Sequence, residues 1–269
     1  MAKSKLRLLV WEIGRLPVSL ISGVAVAAML ATSSNLAWTE IAAQALPITL
    51  VTMAAFAFND LYDRDKDRIA EAKRKPIADG RVTVTEGYLF AALLSVCALA
   101  LEALVEEGRS LYVIVAALFG VAAYSIVAQS LPVVKGFATA VLCCAPLAYG
   151  SEVAQVPVPK PIYLFFAAFV VGRELLLDVV HFSGDLRAGV HTLVAYLTPG
   201  ISRLVGWTTM IASVAALTLY SHGIGRLGFA VALLSLAAAG WICTRDEVKG
   251  VIWTRVTLLL GVISGSLSL

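Results

Sequence analysis

The chain has 269 residues, of which 59% are hydrophobic and only 14% are charged, and its mean hydropathy is +0.87. Soluble globular domains carry about 25% charged residues, so this composition excludes that class. The formal net charge is small, at +3. We therefore expect an all-α polytopic membrane protein whose helices span the bilayer.

Apolar segments of about 20 residues, the length that an α-helix needs to cross the hydrocarbon layer, recur along the whole chain. Prolines, which interrupt helices, lie near several predicted starts, among them Pro17, Pro47, Pro132 and Pro199. Nine transmembrane helices are predicted, at 16–32, 38–58, 84–105, 110–129, 132–150, 161–181, 199–220, 226–243 and 250–268.

Lysines and arginines are distributed unevenly among the predicted connections. With the amino terminus on the cytoplasmic side, sixteen lie in inner segments and three, Arg109, Lys160 and Arg226, in outer ones. Arg173 and Arg255 fall inside predicted spans. Because cytoplasmic loops are enriched in Lys and Arg, this bias predicts a cytoplasmic amino terminus.

The first polar cluster, NDLYDRDKD at 59–67, directly follows the uncharged segment 48–58. It holds four carboxylates and an asparagine in nine positions. Ionisable clusters at a membrane edge are costly, which favours a functional role. Asn59, Asp63 and Asp67 are spaced i, i+4 and i+8, which on a helix places them on one face.

A second cytoplasmic segment, DVVHFSGDLRAG at 178–189, is predicted as a loop that begins at a helix end. Asp178, His181 and Asp185 are spaced i, i+3 and i+7 and would share one helical face there. We expect the two oxygen-rich faces to converge across a cavity. Magnesium prefers hard oxygen ligands, usually one or two carboxylates plus substrate phosphates, so these faces suit a diphosphate bridged by Mg²⁺.

Cationic side chains accompany both motifs and would neutralise a departing diphosphate. The basic run 73–75 can also serve only to set the orientation of the chain in the membrane. His181 can equally be a neutral, hydrogen-bonded residue. Arg173 can pair either with Glu174 or with the acidic site. Aromatic side chains such as Tyr124 either pack or stabilise a cation through their ring faces. The cationic candidates are Lys73, Arg74, Lys75, Lys135, Arg173 and Arg187.

These segments resemble the UbiA superfamily of intramembrane prenyltransferases. NDLYDRDKD is similar to the NDxxDxxxD signature of that family, and the following KPIADGRVT resembles its RPIxSGxIS segment. GRELLLDVVHFSGDLRAGVHTL at 172–193 is similar to RExxxDxxDxxGDxxxGxxTLP. The order and separation of the motifs match over nearly the whole chain.

The resemblance implies one integral-membrane domain, 1–269, with pseudo-symmetric halves of about 1–130 and 131–269. The helices would surround a central cavity capped by Asp-rich cytoplasmic loops. The implied Mg²⁺ ligands are Asn59, Asp60, Asp63, Asp67, Asp178 and Asp185, and the implied catalytic residues are Asp63, Asp185, Lys75 and Lys135. The implied substrate-binding residues are Asn59, Lys73, Arg74, Tyr124, Arg173, His181 and Arg187.

The implied reaction is Mg²⁺-dependent transfer of an isoprenyl group from an isoprenyl diphosphate to an aromatic or hydroxyl acceptor, with release of diphosphate. A terpene cyclase of the same superfamily, which needs no acceptor, is the alternative. A transporter fits less well, because transporters place ionisable residues near the midplane of the bilayer. The expected partners are the diphosphate, a small lipophilic or aromatic acceptor and the lipids of a bacterial or archaeal cytoplasmic membrane, and no nucleic-acid partner is expected.

Two substitutions depart from the family pattern. His181 stands where many members have the middle aspartate of the second motif. Lys75 stands where an arginine usually precedes the proline of the first segment, so a bidentate phosphate contact is lost. These departures predict a divergent member of the superfamily.

Overall fold

The structure is a computed structural model that describes residues 4–70, 75–105, 108–128 and 131–268. Within these ranges all regular secondary structure is helical. A short helix α1 (Lys5–Arg7) runs directly into a π-helical segment, Leu8–Ile13. The other helices are α2 (Leu16–Ser33), α3 (Trp38–Tyr62), α4 (Arg64–Ile69), α5 (Val84–Val105), α6 (Leu111–Ala128), α7 (Pro132–Cys143), α8 (Ala145–Ala154), α9 (Lys160–Arg187), α10 (Leu193–Leu197), α11 (Pro199–Tyr220), α12 (Gly223–Cys243) and α13 (Glu247–Ser266).

Every predicted span overlaps a helix, and the protein is an integral membrane protein. Seven segments of the described chain are long and apolar enough to cross a membrane: α2, α3, α5, α11, α12, α13 and the stretch Val134–Ala154. The two remaining predicted spans correspond to α6, whose apolar stretch is shorter, and to α9. Length and composition therefore account for seven of the nine predicted spans.

Proline marks several helix starts, as predicted. Pro17, Pro132 and Pro199 lie in the first turns of α2, α7 and α11. Backbone N–H groups in a first turn have no acceptor within the helix, so the N–H that proline lacks costs no hydrogen bond there. Pro47 differs, because it lies inside α3, which begins at Trp38. Placing Pro47 near a helix start was therefore wrong. Membrane helices tolerate an interior proline because neighbouring groups satisfy the freed carbonyl.

The carboxyl-terminal helices pack closely around α9. α9 and α11 cross at Gly172 and Gly206, where a Cβ atom on Gly172 would lie 2.7 Å from the Gly206 carbonyl oxygen. Small residues at such a crossing allow two helix backbones to approach. α13 packs against α12 and also contacts α2 and α9. It therefore links helices from both predicted halves of the chain.

This crossing makes a testable prediction about stability. We expect Gly172→Ala to lower the free energy of unfolding by about 1–3 kcal/mol, because the added methyl group displaces the backbone of α11. Gly240→Ala is the matched control, since a Cβ atom there would meet nothing within 4 Å. Thermal unfolding in detergent, followed by circular dichroism, measures both variants. Equal melting temperatures would contradict the close crossing.

Candidate active site

The first motif occupies the end of α3 and the start of α4. α3 ends at Tyr62 and α4 begins at Arg64, with Asp63 between them. Helical bonding continues through this junction, because the Asp63 N–H donates to the Asn59 carbonyl at 2.9 Å and the Asp67 N–H donates to the Asp63 carbonyl at 2.8 Å. Asn59 Nδ2 also donates to Asp63 Oδ2 at 2.9 Å. The spacing that predicted a common face is therefore preserved.

Asp60 lies behind this face, in the interior of the bundle. Its side chain is 2% exposed, and Oδ1 accepts hydrogen bonds from Arg15 Nη2 at 2.8 Å and from Lys75 Nζ at 2.7 Å. Lys75 Nζ also lies 2.8 Å from Asp67 Oδ2 and so joins two carboxylates of the motif. Asp60 Oδ2 is buried and has no hydrogen-bond partner among the described residues.

Asp67 connects the motif to solvent. It lines a cleft of about 630 Å³ together with Arg64, Arg68 and Asp79. Burial raises the pKa of Asp67 above its usual range, and the nearby Lys75 partly opposes this rise. A carboxylate in such surroundings is stabilised in its charged form by an adjacent cation.

The second motif lies on a helix. α9 continues to Arg187, so most of the segment 178–189 is helical and the prediction of an Asp-rich loop there was wrong. A helix satisfies its own backbone groups at a membrane edge, which a loop does not. Asp178 and Asp185 are buried on this helix. His181 lies between them with an exposed side chain, and among the described residues it has no hydrogen bond or ion pair.

The two motifs are in contact, in agreement with the expectation that their faces converge. Lys66 Nζ of the first motif lies 3.4 Å from Asp185 Oδ1 of the second. Arg187 Nη2 donates to the Ala70 carbonyl oxygen at 3.1 Å. Gly184 lies so close to α4 that a Cβ atom there would be 3.3 Å from Ala70 Cβ. The short helix α4 therefore docks on the end of α9.

Other predicted site residues lie around the second motif. Lys135 Nζ donates to Asp178 Oδ1 at 2.7 Å. Tyr124 on α6 is half-buried, and Lys135 and Glu174 are among the charged groups that act on its hydroxyl. These residues therefore share one region of the bundle. Lys73 and Arg74 lie outside the described residues.

Arginines form a second charged region beside the carboxylate motifs. Arg173 Nη1 lies 3.4 Å from Glu174 Oε1, and the Arg15 guanidinium lies 4.5 Å from the centroid of the Phe56 ring. Arg15 is among the charged groups that act on Glu174, and Arg15 and Arg173 both act on Arg255. From the sequence, Arg15 was expected only as one of the cytoplasmic positive charges and Arg255 only as a residue within a span, because charge counting does not report which helices meet.

The carboxylates offer the oxygen ligands that magnesium prefers, although the described residues do not form a complete metal site by themselves. Among the described residues no three His, Cys, Asp or Glu side chains cluster as a metal site. Instead Lys75 pairs with Asp67, Lys135 with Asp178 and Lys66 with Asp185. Magnesium typically takes one or two carboxylates and completes its shell with water and substrate phosphates, so the hard oxygen donors fit this cation.

The contact between the motifs can be trapped covalently. We expect Ala70→Cys combined with Gly184→Cys to form a disulfide, because the two Cβ positions are separated by about the distance that a disulfide spans. The four native cysteines would first be replaced by serine. Non-reducing electrophoresis and mass spectrometry after mild oxidation measure the bond.

Asp65→Cys combined with Gly184→Cys is the control for this experiment. Asp65 lies on α4, five residues before Ala70, and its side chain is 73% exposed. Cross-linking of the control pair at the same rate would mean that α4 does not hold the described position on α9.

Comparison with known proteins places this geometry in a family. The UbiA prenyltransferase family matches residues 20–259. A digeranylgeranylglyceryl phosphate synthase of Natronomonas pharaonis is 27% identical over 252 residues, which cover 90% of this chain and 87% of the relative. The enzyme of the same name from Ignicoccus hospitalis is 31% identical over 217 residues, which cover 73% of this chain and 69% of the relative.

Solved structures share the fold. A UbiA homolog from Archaeoglobus fulgidus, determined with GPP and Mg²⁺ bound, superposes with a TM-score of 0.70 at 18% sequence identity. The match covers 94% of this chain and 99% of that chain. The helical fold of this chain is therefore one that a solved UbiA homolog shares.

Proposed function

Since the chain belongs to the UbiA prenyltransferase family, we propose that it transfers an isoprenyl group from an isoprenyl diphosphate to an acceptor within the membrane. The observation that carries this proposal is the contact between the two carboxylate motifs through Lys66 and Asp185. One buried surface thereby combines carboxylates that suit Mg²⁺ with lysines that suit phosphate.

Magnesium would be held by oxygen donors of both motifs. When bound, it would neutralise the departing diphosphate and lower the barrier to breaking the allylic carbon–oxygen bond. The homolog determined with GPP and Mg²⁺ supports this assignment of cation and donor substrate. The proposed ligands are Asn59, Asp63 and Asp67 from the first motif and Asp178 and Asp185 from the second.

The lysines are held in place for a role at the diphosphate. Lys75 lies between Asp60 and Asp67, and Lys135 is fixed by Asp178. Each ammonium group offers three donors, so Lys135, bonded to one carboxylate, and Lys75, bonded to two, each retain at least one donor for a phosphate oxygen. In this arrangement Asp60 serves to position Lys75, since it is the most buried carboxylate of the motif.

The acceptor completes the reaction. The allylic carbon–oxygen bond breaks, diphosphate leaves with the bonding electrons, and an acceptor oxygen bonds to the allylic carbon and loses its proton. Apolar helix surfaces exclude water from the allylic cation. The names of the archaeal relatives favour a hydroxyl acceptor of the glyceryl type over an aromatic one.

The helix lengths and the distribution of positive charge support a specific arrangement of the chain in the membrane. We infer that α6 and α9 also cross the bilayer, which gives nine spans in an archaeal or bacterial cytoplasmic membrane. The 28 residues of α9 are about 42 Å long, more than the hydrocarbon thickness. The excess of Lys and Arg near the two motifs supports a cytoplasmic position for the site and the amino terminus.

Substitution of the carboxylates tests the proposed function. We expect Asp63→Asn and Asp185→Asn each to lower kcat/KM about a hundredfold or more, because each removes a charge that Mg²⁺ requires. Release of diphosphate from isoprenyl diphosphates, at several Mg²⁺ concentrations, measures the effect.

The matched control is Asp65→Asn, which lies in the same motif. Asp65 is exposed and forms an ion pair with its neighbour Arg64. It should retain activity within about twofold, as surface ion pairs contribute little. Parental rates in the Asp63 and Asp185 variants would refute the proposed site.

A further inference from the structure

A groove lies between α11 and α12, apart from the two carboxylate motifs. Its volume is about 430 Å³, within the range of about 300–1,000 Å³ that is typical of small-molecule sites. The residues proposed for prenyl transfer do not line it. Its lining is apolar and consists of Trp207, Ile211, Leu233, Leu236, Ala237 and Gly240.

The spacing of the lining residues explains how the groove forms. The four residues of α12 are spaced i, i+3, i+4 and i+7 and the two residues of α11 are spaced i and i+4, so each set shares one helical face. Leu236 is 2% exposed and lies at the bottom of the groove, whereas Ile211 is 49% exposed at its side. A Cβ atom on Gly240 would meet nothing within 4 Å, so the missing side chain leaves the groove open.

Positive charge lies at the membrane edge where α11 begins and α12 ends. Arg203, near the start of α11, pairs with Glu247, and Lys249 pairs with Asp246. Arg245 follows the end of α12 and has no carboxylate partner among the described residues. Three cations therefore stand against two carboxylates at this edge, which leaves one positive charge unbalanced.

An aromatic side chain holds this unbalanced charge beside the groove. The Arg245 guanidinium lies 4.1 Å from the centroid of the Trp241 ring. Trp241 lies four residues after Ala237, so it continues the face of α12 that lines the groove. Its side chain is 58% exposed, and tryptophan is enriched where membrane meets water. The apolar groove and the free cation are therefore neighbours.

We propose that the groove binds one hydrocarbon chain of an anionic membrane phospholipid, whose head group pairs with Arg245. Basic pockets between membrane helices bind anionic head groups, and an apolar lining suits a hydrocarbon chain. The groove extends over seven residues of α12, about 10 Å along the helix axis, so it takes part of a chain. The short segment 188–198 joins α9 to α11, which places the head group at the same membrane edge as the second carboxylate motif.

Lipid binding measured by native mass spectrometry tests this site without turnover. Delipidated protein in detergent would be titrated with phosphatidylglycerol and with phosphatidylcholine of identical chains. We expect phosphatidylglycerol to bind about fivefold more tightly, the effect of one arginine near an anionic lipid surface. Arg245→Gln should remove this preference. Lys160→Gln, which removes an exposed charge at the start of α9, should retain it.

Filling the groove tests where the chain binds. Gly240→Leu should lower the affinity for both lipids about tenfold, because the new side chain occupies the space of the hydrocarbon chain. Gly136→Leu on α7 is the matched control, since a Cβ atom there also meets nothing within 4 Å. Should Gly240→Leu fail to fold, the comparison of the two lipids on the parental protein and on Arg245→Gln still decides.

Several results would overturn the lipid site. Equal affinity of the parental protein for the two lipids is one, and an undiminished preference in Arg245→Gln is another. Unchanged lipid affinity in a folded Gly240→Leu variant is a third. A dimer of the parental protein that Gly240→Leu separates would assign the groove to a second copy of the chain and would equally overturn the proposal.

Discussion

Buried carboxylates at the edge of a membrane need cations, and this requirement organises the site. The carboxylates of Asp60, Asp178 and Asp185 are almost fully buried, and each lies within ion-pair distance of a lysine or arginine. Removing one member of such a pair leaves a buried charge uncompensated, at a cost of about 3–5 kcal/mol. The pairs therefore hold both the acids and the cations of the proposed site in place.

The same requirement explains how the two motifs meet. α4 is a short helix of six residues, and it is held on α9 by Lys66, Arg187 and the absence of a side chain at Gly184. If these carboxylates held Mg²⁺, their lysine partners would be available to phosphate oxygens, since an ammonium group is a mobile point charge. Asp60, which contacts both Lys75 and Arg15, separates this lysine region from the arginine region.

Much of this organisation was predictable from the sequence, because helices and their faces are local. The predicted spans overlap helices, although 132–150 falls on two of them, α7 and α8. The helical spacing expected for Asn59, Asp63 and Asp67 is kept by the backbone hydrogen bonds that join them. Pairings between distant segments were not predictable. Lys66 and Asp185 are more than a hundred residues apart, and the packing of α13 on α9 likewise joins segments far apart in the chain. The helical course of α9 through Asp185 was missed because its polar residues read as a loop.

We propose that one buried surface carries out isoprenyl transfer. Product analysis by mass spectrometry tests it most directly, with purified protein, a panel of isoprenyl diphosphates and a membrane lipid extract as the source of acceptor. We predict a prenylated lipid and free diphosphate in equal amounts, formed only when both Mg²⁺ and acceptor are present. A cyclic hydrocarbon or alcohol formed at turnover rates without acceptor, or diphosphate release that is independent of Mg²⁺, would contradict the account.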